Sequence, residues 1–87
     1  MNAETANKAY DILMQEAGAK EYWRSDFVRC MTDDEPSREY RFSGALGFGG
    51  KYWIKRNAVD CYSEDLTPER EAVIKATNAR LASEVQF

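Results

Sequence analysis

Residues 38–48, REYRFSGALGF, set Tyr40, Phe42, Gly44 and Leu46 on alternate positions, with Glu39, Arg41, Ser43 and Ala45 between them. On an extended chain that spacing puts the apolar side chains on one side and the polar ones on the other. The segment therefore predicts a strand whose sheet has one dry face. Helical periodicity at both ends of the chain supplies terminal helices to pack on that sheet. Residues 3–18 repeat apolar side chains at Ala6, Tyr10, Leu13 and Ala17, and Gly18 offers a left-handed stop. Near the other end, Thr67 stands at a cap position, Pro68 suits the first helical residue, and Glu69 complements the positive end of the helix dipole. Ala72, Val73, Ala76, Ala79 and Leu81 read as the apolar side of this second helix.

Between the helices, residues 21–32, EYWRSDFVRCMT, replace alanines with aromatic and β-branched side chains and predict a first strand. Asp33, Asp34 and Pro36 break it. After the alternating segment, residues 50–62 predict a further strand, split by a tight polar turn at Lys55–Ala58 into 51–55 and 58–62. A chain of 87 residues, 44% hydrophobic and 13% aromatic, has enough apolar surface for one core without a disulfide framework or structural metal. The expectation is one α+β domain over residues 1–87, a three- or four-stranded antiparallel sheet flanked in sequence by an N-terminal and a C-terminal helix.

Gly47-Phe48-Gly49-Gly50-Lys51 looks like a phosphate-binding loop, but the chemistry of such a loop fails here. It requires a following Ser or Thr that opens a helix, and Tyr52, Trp53 and Ile54 prefer a strand instead. A hairpin bend is the reading that fits, with Gly49-Gly50 in the turn. A two-residue turn there would pair Leu46 with Trp53, and a three-residue one would pair it with Tyr52. Gly44, inside the strand, marks a bulge or a place where a helix packs close.

The chain has no histidine, which excludes catalytic triads, Cys-His pairs and His-containing zinc sites. Cys30 and Cys61 predict reduced, partly buried thiols, and two distant cysteines cannot form a four-cysteine site. Two acidic clusters, Asp33-Asp34-Glu35 and Asp60 with Glu64 and Asp65, are what turns and helix starts ordinarily carry. The reading is a non-enzyme, with no cofactor and no metal. Net charge is -3, with eight basic against six acidic residues from 20 to 57 and three against six from 58 to 87. That balance argues against tight nonspecific nucleic-acid binding. The opening residues lack the basic start and apolar run of a secretory signal, and no run of side chains is apolar enough to span a bilayer. A cytoplasmic protein without membrane contact is the expectation.

A dipeptide recurs: Tyr22-Trp23 and Tyr52-Trp53. On strands, each pair would send one ring to either side of the sheet. Arg24, Arg29, Arg41, Lys51, Lys55 and Arg56 interleave them with positive charge. Three arrangements fit this pattern. The rings are satisfied internally, with helices on both faces or arginine stems over them; they form a protein-binding or dimerisation face; or they stack single-stranded nucleic acid. The residues singled out for partner binding are Tyr22, Trp23, Arg41, Lys51, Trp53 and Arg56.

Residues 42–82 resemble a group of short proteins encoded in bacteriophage and prophage genomes. The resemblance rests on Gly47 to Trp53 (a GFGGK-aromatic-Trp segment), Cys61 to Asp65 (C-Y-x-E-D), Thr67 to Arg70 (T-P-E-R) and Ala76 to Ala82. It implies an accessory gene expressed in a bacterial cytoplasm. It also implies stoichiometric binding to a host protein or complex, in the manner of anti-CRISPR and other anti-defence proteins, and assigns no catalytic residue.

Overall fold

The computed structural model describes residues 1–33, 39–44, 51–55 and 57–85. Helix α1, Ala3–Ala17, starts where the Asn2 side chain accepts the Thr5 amide and ends where Gly18 takes a left-handed φ of 71°. A single 3-10 turn, Glu21–Trp23, leads into α2, Arg24–Met31. Strands β1 (Glu39–Ser43), β2 (Lys51–Lys55) and β3 (Ala58–Cys61) form one antiparallel sheet in the order β1-β2-β3. A second 3-10 turn, Ser63–Asp65, precedes α3, Pro68–Glu84, whose Thr67 hydroxyl accepts the Arg70 amide and whose first residue is Pro68.

The α+β class and the three-stranded antiparallel sheet between terminal helices agree with the sequence reading, as does the division of 50–62 into two strands. Within that frame, residues 21–32 correct it: they are helical, not a strand. Trp23, Phe27 and Met31 are four residues apart, a spacing that satisfies a strand's period of two and a helix's period of 3.6 alike. The charges decide between them. Glu21 with Arg24 and Asp26 with Arg29 form ion pairs at i,i+3, which neighbour each other only on a helix. Arg24 then ties the new helix to α1, bonding Asp11 and both the carbonyl and the side chain of Asn7, with its guanidinium 5.4 Å from the centre of the Tyr10 ring.

The helices cover the sheet face made by Tyr40, Phe42, Tyr52, Ile54, Val59 and Cys61, all buried. Rings from three elements meet there. Tyr10 of α1 lies 5.0 Å from Phe27 of α2, which meets Tyr40 of β1 edge-on at 5.3 Å. Register makes Phe42 and Tyr52 direct cross-strand partners, stacked at 5.5 Å. Neither register expected for Leu46 survives, since Tyr52 faces Phe42 and Trp53 faces Arg41. The expected Gly49-Gly50 turn itself lies outside the described residues. Gly44 fulfils the close-packing expectation: a Cβ there would strike the carbonyl oxygen of Ala17 and come within 2.5 Å of the Tyr52 ring.

Helix α3 turns a different side inward than its alanines suggested. Thr77 and Leu81 are buried and Val73, Ile74 and Asn78 half-buried, whereas Ala72, Ala76 and Ala79 face solvent. A methyl group gains little from burial, so the larger side chains set the rotation. Thr77 disposes of its hydroxyl by donating to the Val73 carbonyl. Asn78 clamps the edge strand β3: its Oδ1 accepts the Val59 amide at 2.8 Å and its Nδ2 donates to the Val59 carbonyl at 3.0 Å.

Candidate binding surface

Because β-strand side chains alternate, burying Tyr40, Phe42, Tyr52 and Ile54 drives their neighbours to the other face. That open face carries exposed Glu39, Arg41 and Ser43 on β1, half-buried Trp53 and exposed Lys55 on β2, and exposed Ala58 and Asp60 on β3. Register sets Arg41 opposite Trp53 and Trp53 opposite Asp60, one row across the sheet. Arg41 is held from two sides. Its Nε lies 3.5 Å from the Glu39 carboxylate, and its guanidinium stands 5.8 Å from the centre of the exposed Tyr62 ring. The row is thus an aromatic between a cation and an anion, with a second ring beside the cation.

A second aromatic pair sits at the first 3-10 turn. Tyr22 is 81% exposed and Trp23 50%, and their rings meet edge-to-face at 4.8 Å. They do not lie on a strand and do not belong to the sheet face. Trp23 instead lines a groove of about 400 Å³ with Asp26 and the whole length of β1 from Glu39 to Ser43. Arg41 borders both the groove and the open face.

Of the residues chosen from sequence, then, Trp23, Arg41 and Trp53 are linked through Arg41, and Tyr22 adjoins Trp23. Lys51 stands in β2 opposite Ser43, and Arg56 lies outside the described residues. Sequence reasoning missed Tyr62 and Asp60. Tyr62 follows β3 directly, so the period that made Cys61 a core residue also sends Tyr62 to the open side. Asp60 was assigned to a turn cluster, although its position between Val59 and Cys61 already marked it as an outward strand residue.

Burial is the first cause of the shifts in the titrating groups Tyr40, Tyr10 and Cys61 near these surfaces. Burial, and then the Asp26 carboxylate that accepts its hydroxyl at 3.2 Å, hold the Tyr40 phenol protonated well beyond the usual tyrosine range. Burial also raises Tyr10, whose hydroxyl donates to the Lys20 carbonyl, with Arg24 opposing. Burial followed by the Asp60 charge pushes the Cys61 thiol up, which starves it of the thiolate a nucleophile needs. Among the described residues, no three His, Cys, Asp or Glu side chains converge to hold a metal ion. No described helix is long and apolar enough to cross a membrane. Comparison with protein-family models, curated proteins and solved structures gives no match for this chain.

Proposed function

We propose that this protein is a non-enzymatic binding module that engages another protein through the surface organised around Arg41. One observation carries the reading. Tyr22 and Trp23 stand in solvent beside a groove whose opposite wall is β1, while Trp53 and Tyr62 flank the same arginine on the open face. Exposed aromatics gathered around an arginine are the composition of interface hot spots, where single truncations cost about 2 kcal/mol or more. A net charge of -3 favours a protein partner over a nucleic acid, which draws its affinity from excess positive charge. The setting proposed, from the resemblance to short phage-encoded proteins, is an accessory or anti-defence protein acting on a host protein or complex in the bacterial cytoplasm.

Affinity capture from bacterial lysate, followed by titration of the captured protein, tests the reading. Trp23→Ala and Trp53→Ala should each weaken binding by about thirtyfold or more while leaving the circular dichroism spectrum unchanged. Unchanged affinity in both variants refutes the assignment of the surface. Binding to a mixed-sequence oligonucleotide that collapses steeply with salt would replace the protein partner by a nucleic acid.

A further inference from the structure

We propose that two copies of this chain join edge to edge through β1, antiparallel about a two-fold axis, with Glu39 of each copy opposite Arg41 of the other. A three-stranded sheet has two edges, and only one is closed by the described residues. At β3 the Asn78 amide takes both the N–H and the C=O of Val59, standing in for a further strand. At β1 no described strand or side chain does the same, and the groove of about 400 Å³ runs along Glu39–Ser43. An uncovered edge is a template for another strand.

The clamp on β3 also fixes which way the backbone of β1 points. Val59 turns its polar groups away from β2, so its pair with Ile54 is a non-hydrogen-bonded one. Ile54 must therefore turn its groups toward β1, where Tyr40 is its partner. By the same alternation Glu39, Arg41 and Ser43 present their N–H and C=O groups at the outer edge.

An added strand must meet these three residues with outward groups of its own, and a second copy can do so in few registers. Setting Arg41 opposite itself puts like charges face to face, which is destabilising. Setting Arg41 opposite Ser43 leaves the guanidinium without a carboxylate across the seam. Setting Glu39 opposite Arg41 makes two opposite-charge pairs related by the axis, with Tyr40 opposite Tyr40 between them. Charge complementarity selects this register. The product is one continuous sheet of three strands from each copy, with both Trp53 rings on the same open face.

Light scattering of the full chain over a dilution series should give about twice the 10.0 kDa chain mass, falling to the monomer on dilution. R41E sets acid against acid, and E39R sets base against base, at both pairs. Each should weaken self-association about tenfold or more. Mixing the two variants restores opposite charges across the seam, so native mass spectrometry should show the mixed dimer in preference to either parent dimer. The double variant E39R/R41E should also recover wild-type association. A wild-type chain that stays monomeric at every concentration overturns the proposal whether or not the variants fold. A dimer indifferent to R41E, or no preference for the mixed species, overturns it as well. Trp53→Ala should leave the dimer intact, which separates failure of this seam from failure of the partner surface.

Discussion

Replacing Asn78 by alanine removes the side chain by which α3 bonds the outer edge of β3 at Val59. Its side chain makes two hydrogen bonds to Val59, at 2.8 and 3.0 Å. Each contributes about 1 kcal/mol net, and more where the abandoned group stays out of water. Val59 is 1% exposed, so water would replace the lost partners only in part. The expected loss is about 2–3 kcal/mol, which for a domain of this size lowers Tm by about 10–15 °C. Amide exchange localises the effect, since the Val59 N–H should lose its protection while the Ile54 amide, inside the sheet, keeps most of its own. Asn78→Asp sharpens the test: it still accepts the Val59 amide but sets a second oxygen against the Val59 carbonyl. Protonation returns a donor there, so its deficit relative to wild type should shrink as pH falls through the carboxyl range. A Tm for Asn78→Ala within about 2 °C of wild type, with Val59 still protected, would refute the clamp.

Gly44→Ala forces a methyl group against the Ala17 carbonyl and the Tyr52 ring, neither of which is the loose end of a side chain. We expect a loss of about 1–3 kcal/mol in urea unfolding, and an unchanged midpoint would show that the end of α1 and β1 do not press together here. Alkaline pH gives a further test. Burial heads the causes that raise the phenols of Tyr10, Tyr40 and Tyr52. An acid whose folded pKa lies above its unfolded value stabilises the fold below that unfolded value, about 10 for tyrosine, and the contribution is lost as pH rises past it. Part of the phenolate absorbance should therefore appear only together with loss of the far-ultraviolet dichroism. Smooth ionisation of all 5 tyrosines with the fold intact would contradict it.

The sequence was most legible where one signal stood alone. Gly18 for the first helix, and Thr67 with Pro68 for the last, were read correctly because capping is decided by a few adjacent residues. The alternation from Glu39 to Ser43 and the break after Lys55 were local in the same sense. Residues 21–32 were misread because spacing by four fits two periods, and the partners that choose between them, Asp11 and Asn7, lie on another element. At the candidate surface, strand periodicity put Arg41 on the outer face, but it did not choose Trp53 over Tyr52 to stand beside Arg41. The pairing of Arg41 with Trp53, and the approach of Trp23 to β1 across the groove, depend on register and docking that no short window contains.

By itself, the sequence determined the α+β class, both ends of the first helix, the start of the last one and the alternation of wet and dry positions along a strand. These follow from periodicity and capping over a few residues. Only the tertiary structure decided that the segment after α1 is helical, which side of α3 turns inward, and that Asn78 rather than a fourth strand closes the β3 edge. Those outcomes rest on contacts between elements far apart in the chain, where the larger side chains and the Arg24 network outweigh local preference.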